Sequence, residues 1–449
     1  MMRKRKTITI PEHGVPHEQV LDEMEKNRDK DANWRDGKTF AYVYMANEAH
    51  YDFLKKAHNL FFSENALSPM AFPSLKKFEA EVLSMVADML GGDRKVFGSM
   101  TTGGTESNLM TVKAHREWAR EKSPGIVHPE IIAPISVHQS FDKAANYFGL
   151  ILKKIPWSNE DFRCDVDAMK DAITPNTIML VGSAIEYARG MVDPIPQLAE
   201  IAQDYKLGLH VDSCLGGFML PWLKKLGYPI PDFDLSISGV TSISADIHKY
   251  GYGPKGTSTV FYTSEKLWKH QFFAAVDSPC GVYASPTMTG TRAGSAIAGA
   301  WAAIKALGED GYMNLAKITM DATQQMMAGV NAIPDLKILG QPDMTVFSFT
   351  AKDLDALNIY AVGDELQKLG WVVDRLQFPP ALHVIVTPPH LQVVDAFLQD
   401  LKTCVEAVKA NPTAITEGAA ALYGMLATFP DRTNLRKVVI DFLADQYKV

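Results

Sequence analysis

Asp212 closes the apolar run Leu209-His210-Val211-Asp212, an awkward place to leave a carboxylate without a partner. Such a residue can cap a helix or shape a turn. It can also hold a proton on a ring nitrogen, so that the ring withdraws electrons from a reacting carbon. Lys249 closes a second run, Ser244–Gly251, just before a glycine-rich turn. Most lysines are solvated surface charges, but one desolvated at a strand end becomes an amine able to form an imine with a carbonyl. His248, next to it, could meet the imine or a phosphate.

Two further segments fit the same chemistry. In Thr101–Asn108 the small residues Gly103, Gly104 and Thr105 follow a strand and open a helix, where backbone N–H groups can approach an anion. Neither GxxxxGK[ST] nor GxGxxG is present, so this is no Walker loop or dinucleotide fingerprint. His138 follows the apolar run Ile131 to Ile135, where an imidazole could stack on a pyridine ring and shuttle protons. Each element alone has a plainer reading. Together they point to pyridoxal 5'-phosphate, with Lys249 as its Schiff-base lysine and Asp212 as its ring-nitrogen partner.

The elements that must position these residues alternate in type. Apolar runs at Ile131 to Ile135, Leu150 to Ile155, Ile178 to Gly182, Gly208 to Asp212, Ser242 to Asp246 and Ser258 to Tyr262 read as strands. Helical patterns such as Asp165 to Ile173 and Ile195 to Tyr205 lie between them. This rhythm predicts an α/β fold with a mainly parallel sheet and its ligand site at the carboxyl ends of the strands. Leu75, Phe78, Val82, Met85 and Met89 share one face of a helix over Ser74 to Leu90, with Ser74 as its expected N-cap and Gly91-Gly92 as its stop. Residues from about 16 to 30 form a polar helix. Beyond about 310 a long helical stretch precedes strands near Thr345 to Phe349 and His383 to Thr387. The expected organisation is an N-terminal segment (1–45), a large cofactor-binding domain (46–310) and a small C-terminal α/β domain (311–449).

Bulk properties exclude several classes. The 449 residues are 47% hydrophobic and 22% charged, an ordinary globular balance. A net charge of −7 gives no electrostatic reason to expect nucleic acid or an anionic membrane as partner. The basic start, Arg3 to Lys6, runs into Thr7–Pro11 rather than a long apolar stretch, so no integral membrane segment or signal peptide is expected. Cys164, Cys214, Cys280 and Cys404 lack metal-ligand or disulfide-framework spacing, which predicts reduced thiols, no metal and a cytoplasmic location.

The order of Thr101–Ser107, His138, His210–Gly217 and Ser244–Tyr252 resembles the group II decarboxylase-like branch of fold-type-I pyridoxal-phosphate enzymes, and within it the sphingosine-1-phosphate lyases. Asn65–Ser74, Gly239–Ala245, Tyr283–Pro286, Gln377–Pro380 and Tyr423–Met425 extend the likeness from about residue 40 to the C-terminus. The resemblance implies that Gly104, Thr105 and His248 hold the cofactor phosphate and that His138 stacks on its ring. It implies a homodimer with shared active sites, in which Gly290 and Thr291 of one subunit reach the phosphate bound by the other. Tyr44 and Lys255 would bind the phosphate of a small amphipathic substrate. Catalysis would rest on Lys249, His138 and Tyr187.

The chain departs from the family at Tyr187–Gly190, where Arg189 replaces the histidine of a Tyr-Pro-His-Gly run. Asp142 stands for the usual Asn beside a matching Lys143, and Asp277–Gly281 replaces a Trp-containing loop. Lys143 and Arg189 are thus further substrate-binding candidates. The implied reaction is retro-aldol cleavage of a phosphorylated sphingoid base to a long-chain aldehyde and phosphoethanolamine. Amino-acid decarboxylation is the alternative, since Arg189 could bind a carboxylate bidentately. A ligand-binding protein without turnover is a third reading, opposed by the joint presence of Lys249, Asp212 and His138.

Overall fold

The computed structural model describes residues 8–68, 70–93, 95–157, 161–411 and 432–447. The basic start Arg3 to Lys6 and the segment Tyr423–Met425 lie outside the described residues. Seven strands make the large sheet: β1 (Phe97–Thr101), β2 (Glu130–Pro134), β3 (Ile151–Ile155), β4 (Thr177–Ser183), β5 (Gly208–Asp212), β6 (Ser242–Ala245) and β7 (Ser258–Tyr262). Their spatial order is β1-β7-β6-β5-β4-β2-β3. From β6 through β3 neighbouring strands pair parallel, while β7 pairs antiparallel with both β6 and β1. This is the mainly parallel α/β sheet expected from the sequence.

β4, β5, β6 and β7 are buried along their whole length. That explains their continuous apolar runs, because helices cover both faces of a parallel sheet. Leu209 and Val211 are fully buried on β5, each worth about 2 kcal/mol of transfer free energy. Polar residues at the ends of these strands, Asp212 above all, therefore sit in an apolar frame.

The helices of this part are α1 (His17–Arg28), α2 (Glu48–Asn59), α3 (Pro73–Met89), α4 (Gly104–Lys122), α5 (Ser140–Phe148), α6 (Val166–Asp171), α7 (Ile195–Tyr205), α8 (Leu220–Lys225) and α9 (Glu265–Lys269). In α3 the N-cap is Phe72 rather than Ser74, and Pro73 opens the first turn. Proline fits there because its missing N–H is not needed and its φ is already helical. Gly91, at φ 71°, ends the helix as expected.

A short hairpin, β8 (Phe273–Ala275) with β9 (Tyr283–Ser285), leads into α10 (Gly294–Ala332). This helix is 39 residues long and is interrupted at Gly308, whose φ of 60° is not helical. Its first half and Tyr312, Leu315 and Met320 pack in the core of the large sheet. Ala322, Met326 and Val330 pack in a second core. That second core lies against a four-stranded antiparallel sheet, β10 (Leu336–Ile338), β11 (Val346–Ala351), β13 (Pro380–Ile385) and β12 (Asp374–Gln377), in that order. The helices α11 (Ile359–Lys368) and α12 (Val394–Ala410) cover it, and α13 (Arg432–Gln446) follows.

Phe40, fully buried, reaches into the second core and stacks on Trp371 and His390. The stretch before α2 is thereby fastened to the small sheet. No described helix is long and apolar enough to cross a membrane.

Candidate active site

The registers Ser183↔Asp212 and Asp212↔Ser244 bring the carboxyl ends of β4, β5 and β6 into line. Above them lies a cavity of about 410 Å³. Thr105, His138, Tyr187, Asp212, His248 and Lys249 all line it, as does Gly104. Segments far apart in the chain thus converge where the sequence placed the ligand site.

Asp212 is buried, and burial alone would drive its carboxyl upward. His138, then His210, the Cys214 side chain and Lys249 outweigh burial and hold it below the usual carboxylate range. Its Oδ2 accepts from Asn108 Nδ2 at 2.9 Å and its Oδ1 from the Cys214 N–H at 3.1 Å. The other Asn108 Nδ2 hydrogen goes to Ser140 Oγ at 2.9 Å, and Asn108 Oδ1 lies 3.2 Å from the donating Ser244 hydroxyl. Every polar atom of the Asn108 amide is therefore engaged, which fixes its orientation. His138 Nδ1 accepts from the Ser140 N–H at 3.1 Å, so a neutral His138 carries its proton on Nε2. Burial draws its pKa below the ordinary imidazole value.

Lys249 Nζ lies 3.0 Å from Asp246 Oδ2, and His248 Nε2 lies 3.6 Å from the same oxygen. Burial disfavours the ammonium, but Asp246 and then Asp212 outweigh it and raise the lysine above its ordinary value. Asp246 Oδ1 is buried with no hydrogen-bond partner. At the start of α4, Thr102 donates from its N–H and its hydroxyl to Glu106 Oε2, at 2.6 and 2.7 Å. Gly103, Gly104 and Thr105, next in the chain, line the cavity, and first-turn N–H groups have no partner within their own helix. A Cβ on Gly104 would come within 2.6 Å of Cys214 Sγ and 2.8 Å of Asp246 Oδ2, so only glycine keeps this approach open.

Tyr187 lies edge-on to His138, with ring centroids 6.4 Å apart. Its hydroxyl donates to Asp374 Oδ2 at 2.9 Å, and the Tyr42 hydroxyl donates to Asp374 Oδ1 at 2.7 Å. His383, opposite Asp374 on the neighbouring strand, packs on the Tyr187 ring at 4.4 Å. Asp374 and His383 of the small sheet thus hold Tyr187, which lines the cavity.

Other expected residues lie elsewhere. Tyr44 and Lys255 line an adjoining cavity of about 320 Å³, with the Lys255 ammonium 5.0 Å from the Tyr44 ring centre. Lys143 is exposed on α5 and lies over Tyr147 rather than in either cavity. Arg189 is 2% exposed, and its guanidinium sits between the rings of Trp157 and Phe162, 4.7 Å from each centre. It faces Glu186 at 3.5 Å and does not open on the cavity. Thr291 Oγ1 accepts from Asn65 and Gly290 packs near the Tyr283 hydroxyl, so neither meets the cavity of its own chain.

Asn108, Ser140, Asp246 and Asp374 were not singled out by sequence. The first three sit inside or beside the segments already chosen, whereas nothing local marks Asp374.

Residues 1–352 match the model of the pyridoxal-dependent decarboxylase conserved domain. Sphingosine-1-phosphate lyase of Arabidopsis thaliana is 44% identical over 99% of this chain and 82% of its own length. Sphingosine-1-phosphate lyase 1 of Rattus norvegicus is 40% identical over 98% of this chain and 77% of its own. The chain belongs to the pyridoxal-dependent decarboxylase family, on its sphingosine-1-phosphate lyase branch. A solved sphingosine-1-phosphate lyase from Burkholderia pseudomallei superposes on this family member with a TM-score of 0.86 at 40% identity, covering 95% of this chain and 98% of that one. Glutamate decarboxylase of Lactobacillus brevis, at 18% identity and a TM-score of 0.80 over 91% of this chain and 96% of its own, shares the fold.

The cofactor of the family is pyridoxal phosphate, and the residues present fit it. A buried, ionised Asp212 suits a protonated ring nitrogen, and the open start of α4 beside Gly104 suits a phosphate. Lys249 supplies the amine between them.

Proposed function

We propose that this chain is a pyridoxal-phosphate-dependent lyase that cleaves a phosphorylated sphingoid base, such as sphingosine 1-phosphate, to a long-chain aldehyde and phosphoethanolamine. The observation that carries the reading is identity of 40–44% with sphingosine-1-phosphate lyases over 98–99% of the chain.

Gly104, Thr105 and His248 would hold the cofactor phosphate, Asp212 the ring nitrogen, and His138 the ring face. Lys249 would hold the carbonyl carbon. Bound pyridoxal phosphate supplies the electron sink for the pair released when the bond between the amine-bearing and hydroxyl-bearing carbons breaks. The chain orients that bond and manages the protons. Lys249, kept protonated beside Asp246, is the donor placed to return a proton to the amine-bearing carbon. Tyr44 and Lys255, next to the cavity, would take the phosphate of the substrate.

A homodimer with shared sites would give Gly290 and Thr291 a role, since neither lines its own cavity. A cytoplasmic location rests on the free cysteines Cys164, Cys214, Cys280 and Cys404. Decarboxylation has less support, because the guanidinium meant to bind a carboxylate is enclosed by Trp157 and Phe162.

The test is incubation of cofactor-loaded protein with a phosphorylated sphingoid base, with products identified by mass spectrometry beside a Lys249→Ala control. Aldehyde and phosphoethanolamine from the wild type alone are expected. No cleavage by wild type would overturn the reading and turn attention to amino-acid substrates.

A further inference from the structure

Retro-aldol cleavage needs a group to take the proton of the substrate hydroxyl. We propose that Asp374, acting through Tyr187, is the final acceptor of that proton. The inference rests on the lyase reading and deepens it.

The geometry is a chain of hydroxyls and one carboxylate running from cavity to surface. Tyr187 lines the cavity and donates its proton to Asp374 Oδ2 at 2.9 Å. With that hydrogen committed, the phenol oxygen offers its lone pairs to a hydroxyl arriving in the cavity. Tyr187 cannot serve as a ready-made phenolate, since burial first and Asp374 next raise its pKa far above the ordinary phenol. It can accept a proton only by passing its own onward.

Both oxygens of Asp374 are placed as acceptors. Tyr42 donates to one and Tyr187 to the other, and burial first keeps the nearby Tyr44 phenol protonated. His383 packs from the neighbouring strand. Its Nδ1 donates to the Ala188 carbonyl at 3.0 Å, and burial lowers its pKa to about 4, so it stays neutral.

Tyr42 completes the path. Its side chain is 63% exposed and its φ of 67° lies in the left-handed region, which a non-glycine residue adopts at a cost of roughly 1–2 kcal/mol. That conformation brings the hydroxyl of an exposed tyrosine to Asp374 Oδ1 at 2.7 Å, linking the carboxylate to the surface.

The step balances. As the carbon-carbon bond breaks and the new carbonyl forms, the substrate O–H breaks and its proton forms an O–H at Tyr187. The former Tyr187 proton forms an O–H on Asp374, converting carboxylate to carboxylic acid. Once aldehyde leaves, Asp374 gives the proton to the Tyr42 oxygen as Tyr42 turns its own hydrogen away from Asp374 and releases it to water.

The experiment compares wild type, Asp374→Asn and Tyr187→Phe, all loaded with cofactor. Two rates are read: single-turnover cleavage of a phosphorylated sphingoid base, and hydrogen-deuterium exchange at the amine-bearing carbon of phosphoethanolamine. Exchange uses the same cofactor, Asp212 and Lys249, but involves no hydroxyl proton. Both variants are expected to lose cleavage by about 100-fold or more, the range of general base catalysis, with exchange close to wild type. Retained cleavage in Asp374→Asn would overturn the relay alone, and parallel loss of cleavage and exchange would reduce Asp374 to a structural support and overturn it too. Failure of the wild type to cleave would sink the lyase reading itself. Should Asp374→Asn not fold, a proton inventory on wild type decides: a curved dependence on deuterium content is expected for two protons moving together, and a linear one overturns the relay.

Discussion

Asn108 donates to Asp212 Oδ2 at 2.9 Å from an amide whose every polar atom is engaged. It is the buried contact that aims the carboxylate at the cofactor ring. Replacing Asn108 by Ala removes a hydrogen bond to a charged group, worth roughly 1.5–3 kcal/mol. Titrating apoprotein with pyridoxal phosphate should show an affinity about 10- to 100-fold weaker. Unaltered affinity would mean that Asp212 needs no such support.

Gly104→Ala should empty the phosphate cradle. Its methyl would meet Cys214 Sγ at 2.6 Å and Asp246 Oδ2 at 2.8 Å, so these two cavity-lining side chains or the first turn of α4 must shift. Loss of cofactor absorbance on dialysis, with the far-ultraviolet helical signal preserved, is the expected result.

Asp246 raises the Lys249 ammonium above its ordinary pKa, whereas cofactor uptake needs the neutral amine. Asp246→Asn should lower the lysine pKa and increase the neutral fraction at any given pH. Stopped-flow absorbance of reconstitution against pH should then show a midpoint displaced to lower pH. A displacement the other way would refute the electrostatic assignment.

Arg189→Gln should damage stability without harming substrate affinity. The change leaves the carboxyl of Glu186 buried without its cation, and breaking such a pair costs about 3–5 kcal/mol. Urea unfolding should register the loss while KM for a phosphorylated sphingoid base stays at the wild-type value. A large rise in KM would instead return Arg189 to the substrate.

Stability of the apoprotein should rise with pH in the acid range. Burial lowers His115, His383 and His390 to about 4 and His210 to about 3, each from 6.5, so unfolding gains four imidazole protons between pH 4.5 and 6. Burial raises Glu186 to about 7 and Asp193 to about 6, so two carboxyl protons are lost on unfolding in the same window. Across these six groups the net uptake is about two protons, a contribution of about 2.7 kcal/mol per pH unit to the slope. Denaturant midpoints between pH 4.5 and 6 would show it, and a falling stability would contradict it.

Much of the large sheet was legible because its strands are buried on both faces and so read as unbroken apolar runs. β5 and β7 begin and end at the residues chosen from sequence, and β2 and β4 differ by one residue at each end. The cavity-lining Asp212 and Lys249 were legible for the same reason, since a charged or ionisable side chain at the end of such a run stands out. Asp374 did not stand out. It lies on a half-buried strand of the small sheet, and only the folded chain brings it to Tyr187 and Tyr42. The enclosure of Arg189 by Trp157 and Phe162 was not legible, because a guanidinium looks alike in sequence whether it meets a ligand or two aromatic rings.

The helix α10 has a consequence for how the protein can be divided. Tyr312, Leu315 and Met320 complete one core, and Ala322, Met326 and Val330, a few turns along the same helix, complete the other. A fragment ending at 310 would lack the first group, and one beginning there would keep the second on a helix stripped of its leading half. The two sheets are therefore not interchangeable modules. Grafting either onto another scaffold would require carrying this shared helix with it.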